Sequence, residues 1–105
     1  MERIENPARD RLAANQLSIG IAIRFARMVD IAPAMQAAGY DWLFIDLEHG
    51  SMPLDTVAQI SIAATCCGIS PLVRVPNGDY SLATRALDAG AAGIVLPHVE
   101  SADEA

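Results

Sequence analysis

Apolar residues fall in short bursts along this chain, each followed by a polar or proline stop and then by a segment of helical length. Three bursts open on a glycine: GYDWLFID from Gly39, GISPLVRVP from Gly68 and GAAGIVLPH from Gly90. An earlier burst, LSIGIAI from Leu17 to Ile23, has the same character. All are apolar almost throughout instead of alternating, which is the pattern of parallel strands covered on both faces. The glycine ahead of a burst closes the preceding helix, where a left-handed backbone is unstrained only without a side chain.

The segments between the bursts read as helices. Residues 29–38 carry Ile31, Ala34, Met35 and Ala38 on one face, with Pro33 tolerated near the first turn. Residues 54–67 follow Pro53, a favoured first helical residue, and residues 80–89 follow the turn PNGD, where Asp79 or Ser81 is placed to cap. Ser101 and Glu104 have capping-box spacing and predict a further helix start. The order is a helix, four strands alternating with three helices, and a helix start. Repeats of roughly 22 to 29 residues are short for a doubly wound sheet and suit a (β/α) barrel. The expected fold class is therefore α/β, the N-terminal half of a (β/α)8 TIM barrel, with residues 1–105 as one partial barrel domain truncated before the later strands. Such a half exposes two parallel edges and an apolar interior, which predicts poor stability alone or association.

Composition narrows the function classes. The chain has 105 residues and 52% hydrophobic content, enough for one domain and unlike a disordered chain. Its formal charge is -6, with seven arginines, no lysine and no basic stripe, which argues against nucleic acid as a partner. No apolar run approaches the roughly 18–20 residues of a membrane span, and MERIENPARDRL lacks the apolar core of a signal peptide; a cytoplasmic location is expected. Cys66 and Cys67 are adjacent, a spacing that disfavours both a disulfide between them and a metal site, so they read as small buried thiols in a reducing compartment.

In a barrel of this kind the chemistry sits at the carboxyl ends of the strands. Arg24 falls there after the first strand, Asp46, Glu48 and His49 after the second, Arg74 at the end of the third, and His98 with Glu100 after the fourth. The DLEH step fits either an ordinary loop or a site, and Arg74 either a structural ion pair or a functional group. His98 and Glu100 read as a solvated loop. Arg24 is placed to read a substrate carboxylate or to pair with Asp46 or Glu48. Asp88 sits near a helix carboxyl end, where a carboxylate is disfavoured and a specific partner would explain it. No phosphate-cradling glycine loop or GxSxG elbow is present. Histidine, carboxylate and arginine together suit enolate chemistry: the imidazole moves a proton, the carboxylate orients it, and the guanidinium clamps an oxyanion or carboxylate. Without a lysine these residues offer no Schiff base, so enolate stabilisation falls to arginine and a divalent metal.

From about Ser18 to Ala105 the chain resembles the HpcH/HpaI aldolase family, the metal-dependent class II pyruvate aldolases related to the citrate lyase β subunit. The likeness rests on AGYDWLFIDLEHG, PLVRVP and ALDAGAAGIVLPHVESADEA, in that order and spacing. The resemblance implies a carbon–carbon lyase that cleaves or forms 4-hydroxy-2-oxo acids, with pyruvate or a related 2-oxo acid and an aldehyde as partners. By match to the motifs, His49 is the acid/base residue beside a metal-bound water, Asp88 pairs with it, Asp46 helps hold the site, and Arg74 binds the 2-oxo acid and its enolate. Arg24 lies outside the core motifs as a second substrate-binding candidate. The resemblance also implies a homo-oligomer, commonly a hexamer. It implies magnesium, manganese or cobalt held by a Glu and an Asp beyond Ala105, so that no metal ligand is expected here. Glu48 would neighbour the metal without ligating it, and residues 1–105 alone are expected to be inactive. The competing readings are a lyase for citrate- or malyl-type thioesters and a non-catalytic half-barrel assembly or binding module.

Overall fold

The computed structural model describes residues 3–105, with α1 at Pro7–Ala13, β1 at Gly20–Ile23, α2 at Ile31–Ala37, β2 at Trp42–Asp46, α3 at Leu54–Cys67, β3 at Ser70–Arg74, α4 at Tyr80–Asp88 and β4 at Gly93–Val95. The four strands form one parallel sheet in chain order, β1-β2-β3-β4. That order has no reversal point, which separates it from a doubly wound sheet and makes it a run of four consecutive units of a (β/α)8 barrel.

Local chemistry sets the ends of the elements. α3 begins after the extended Pro53 and ends at Gly68, whose φ of 82° is left-handed. Asp79 caps α4 by accepting from the Leu82 amide at 2.9 Å. The Ser101–Glu104 cap forms as a turn, its hydroxyl accepting from the Glu104 amide at 3.2 Å. β1 is shorter than the apolar burst that announces it, because Leu17 lies exposed before the sheet begins.

Period-two alternation separates the two faces of the sheet. Leu43, Ile45 and Val73 point toward the helices and meet Val57, Ile60 and Ala64 of α3, all fully buried. Each such aliphatic side chain contributes roughly 1.5–3 kcal/mol. Among the described residues the opposite face is only partly covered, with Ala22 exposed and Trp42, Phe44 and Leu72 half-buried, which is the exposed interior expected of a half barrel. Helices pack on one face, and the other is the concave, inward side of the barrel wall. α1 closes its amino end, since Ser70 Oγ donates to Asn6 Oδ1 at 2.8 Å and accepts from the Ala8 amide at 3.1 Å. No helix among the described residues is long and apolar enough to cross a membrane.

The register arranges the concave face in rungs. Gly20, Trp42 and Ser70 align at the amino end, Ala22, Phe44, Leu72 and Gly93 in the middle, and Asp46, Arg74 and Val95 at the carboxyl end. The rung that turns charged is the last one.

Candidate active site

Asp46 closes β2 and is 1% exposed, yet it is ionised and fully partnered. Its neighbour in the register, Arg74, grips it with a two-pronged contact: Nε donates to Oδ1 at 3.1 Å and Nη2 to Oδ2 at 2.6 Å. The backbone turns after Asp46 so that the amides of Glu48 and His49 also donate to Oδ1, at 3.0 and 3.1 Å. Gly50 permits that turn, because a Cβ there would run into the Asp46 carbonyl oxygen. Arg24 adds its Nε at 3.3 Å from Oδ2, so the ion-pair alternative for Arg24 is realised while half of its side chain stays exposed. The Arg74 guanidinium carbon lies 5.3 Å from the centre of the Phe44 ring, one rung below.

These contacts set the charges. The Arg74 hydrogen bonds hold the Asp46 carboxyl far below the usual carboxylate range; burial opposes them, and the His49 and Glu48 amides reinforce them. Donating those same hydrogen bonds to Asp46 pushes the Arg74 guanidinium up. An unfolded aspartate takes its proton near pH 4, roughly, whereas the folded one resists. Below that pH the unfolded state therefore binds more protons. The stabilisation from Asp46 is present above about pH 4 and is lost as pH falls toward the folded value. The urea midpoint of the wild-type protein is expected to fall steeply below about pH 4 and that of Asp46→Asn to fall less; parallel profiles would show that the pair is not formed.

Glu48 stands between the arginine and both histidines of the sequence. Its carboxylate is mostly buried. Oε2 lies 3.3 Å from Arg74 Nε, whose proton is aimed at Asp46, and so has no hydrogen bond among the described residues. Oε1 meets His98 Nε2 at 2.9 Å and lies 3.7 Å from His49 Nε2. His49 is 58% exposed in its side chain, its backbone anchored and its ring open to the mouth.

Of the residues expected at the site, Asp46, Arg74, His49 and Arg24 converge on one rim. Asp88 does not. It is the exposed last residue of α4, the helix that returns the chain to the start of β4, so it lies at the amino end of the sheet. About 15 Å of strand separates that end from His49, and among the described residues the Asp88 side chain has no hydrogen bond or ion pair. Within this chain Asp88 does not stand beside His49, because a helix antiparallel to its strand ends at the opposite pole. His98 lies in an exposed loop, as expected, and is in addition bonded to Glu48 across 50 residues. Its position after the fourth strand, on the same rim as the others, was the available signal. Cys66 is exposed and Cys67 half-buried, so the expectation of two buried thiols also fails; burial does push the Cys67 thiol up.

Among the described residues no cluster of three His, Cys, Asp or Glu side chains could hold a metal ion. Both Asp46 oxygens are bound by arginine, and Glu48 is left as a lone carboxylate. The residues present do not make a cage for a hard cation, which needs several oxygen ligands.

A parallel barrel wall carrying an Arg–Asp fork, a second carboxylate and two imidazoles at its carboxyl rim defines part of a (β/α) barrel whose charged groups gather at the carboxyl ends of its strands. The family model described as HpcH/HpaI aldolase/citrate lyase matches residues 25–105, and the chain belongs to that family. It is 39% identical over 107 residues to the hydroxypyruvate/pyruvate aldolase of Paraburkholderia phytofirmans, covering 100% of this chain and 41% of the relative. It is 34% identical over 106 residues to a 4-hydroxy-4-methyl-2-oxoglutarate aldolase of Hapsidospora irregularis, covering 100% and 39%. The solved HpcH/HpaI aldolase from Desulfitobacterium hafniense DCB-2 superimposes with a TM-score of 0.85 at 30% identity, over 91% of this chain and 37% of that one. The chain thus spans about two fifths of the length of these relatives.

Proposed function

We propose that this chain supplies the 2-oxo acid clamp and the proton-transfer group of an aldolase that cleaves or forms 4-hydroxy-2-oxo acids. The observation that carries the reading is the Asp46–Arg74 fork on the charged rung, with His49 anchored to the same aspartate and its ring open beside it. Asp46 takes Nε and Nη2 of Arg74, which leaves the Nη1 edge to donate to the carboxylate and 2-oxo oxygen of pyruvate. Arg24, held on Asp46 from the side, extends the clamp toward a second carboxylate.

In the cleavage direction His49 accepts the proton of the 4-hydroxyl group. The C3–C4 bond then breaks, its electron pair passing into the pyruvate enolate while the carbonyl of the aldehyde forms, and the enolate takes a proton at C3. Condensation runs the same steps in reverse. A divalent cation, magnesium, manganese or cobalt, would supply Lewis-acid stabilisation of the enolate from ligands outside residues 1–105; the steps given to this chain are binding and proton transfer. In a homo-oligomer the exposed Asp88 would reach the His49 of a neighbouring copy. The free thiols Cys66 and Cys67 fit a reducing, cytoplasmic setting.

The test is exchange of the pyruvate methyl protons with D2O, which reads enolate formation without an aldehyde. Full-length protein with magnesium, manganese or cobalt is expected to deuterate pyruvate at C3 and, given a short aldehyde, to release a 4-hydroxy-2-oxo acid. Absence of exchange with all three ions would overturn the reading and favour a non-catalytic module. Exchange without condensation, but with release from a thioester substrate, would favour the thioester lyase.

A further inference from the structure

The Glu48 carboxylate is 12% exposed, and its side chain receives a single hydrogen bond among the described residues, from His98. The other charged groups around it are committed or distant: Arg74 Nε points at Asp46, Arg24 is also on Asp46, and His49 Nε2 stands off at 3.7 Å. Both imidazoles therefore compete for one oxygen, and His98 holds it. The contact joins the loop after β4 to the loop after β2. His98 makes it with a φ of 56°, a left-handed backbone that non-glycine residues seldom adopt.

We propose that His98 is a positioning residue for the reaction: by engaging Glu48 it keeps the carboxylate off His49 and leaves His49 Nε2 free to exchange a proton with substrate. A carboxylate shielded from water takes the nearest donor when its own is removed. Here that donor is His49, on the same oxygen. The captured ring then spends its Nε2 hydrogen on Glu48 and no longer on the substrate. The inference rests on the reading of His49 as the proton-transfer group, and its test is chosen to be separable from activity.

The sequence contains two histidines, so the imidazole nitrogen spectrum of histidine-labelled protein resolves two rings, and His98→Leu leaves only that of His49. In His98→Leu the His49 Nε2 signal is expected to move to that of a carboxylate-bound N–H that exchanges slowly with water. His98→Gln, which keeps a donor, should return it to the wild-type position, and so should His98→Leu combined with Glu48→Gln, which leaves no carboxylate to capture the ring. In Glu48→Gln alone, the His98 ring should lose its carboxylate signature while His49 is unmoved, a result that stands even if His98→Leu fails to fold. A His49 signal unchanged in His98→Leu, or one that neither compensating variant restores, overturns the proposal. Pyruvate exchange should fall about tenfold or more in His98→Leu with pyruvate affinity retained. Loss of exchange in the wild-type protein would count against the aldolase reading alone, with the ring spectra still deciding the role of His98.

Discussion

His49→Ala is expected to lower kcat by about two to four orders of magnitude while leaving the KM for pyruvate little changed, whereas Arg74→Ala should lower kcat by about two to three orders and raise KM as well. The two side chains share an anchor but differ in when they act. Among the described residues the His49 ring has no partner within hydrogen-bonding distance, so its loss removes an interaction made while a proton is moving. Arg74 is held in a fork by Asp46 and presents its remaining edge to bound substrate, so its loss weakens the ground state and the enolate together. Arg74→Lys should recover part of the binding and little of the turnover, since an ammonium keeps the charge without the planar geometry. Steady-state kinetics on the three variants check this. Equal and mild effects from His49→Ala and Arg74→Ala would remove both roles.

The second large effect is on stability. Asp46→Ala is expected to destabilise the fold by about 3 kcal/mol, toward the lower end for a buried pair broken on one side, because Arg74 keeps some access to water. The substitution also strips the Glu48 and His49 amides of their acceptor and lets the loop after β2 relax. In a domain of this size the melting temperature should drop by more than about 10 °C. Asp46→Asn should cost less, since its amide oxygen still accepts from those two amides. Thermal and urea unfolding measure both variants, and a loss under about 1 kcal/mol for Asp46→Ala would show that water, not Arg74, balances the carboxylate.

Much of the fold was legible because its signals are local. Gly39, Gly68 and Gly90 have φ of 97°, 82° and 110°, as expected of residues that end helices. The helix at residues 54–67 agrees to the residue, bounded as it is by a proline and a glycine. The charged step after the second strand and Arg74 after the third could be placed together because parallel strands bring their carboxyl ends to one rim. What was not legible is nonlocal. The pole of the sheet that Asp88 occupies depends on the direction of its helix. The Glu48 partner of His98 lies 50 residues away, and nothing within a few residues of His98 names it.

Spacing of apolar runs, helix caps and ionisable strand ends was enough by itself to establish a parallel α/β wall with its polar groups at the carboxyl rim, since these follow from backbone sterics and from burial of apolar side chains. Only the tertiary structure decided which groups share a proton or a charge. It gave Asp46 to Arg74, Arg24 and two amides, set His98 on one oxygen of Glu48 with His49 standing off the same oxygen, and left Asp88 at the other pole. Hydrogen bonds and ion pairs act over about 3 Å, and distances of that order between residues 28 or 50 positions apart are created by the register and packing of the strands.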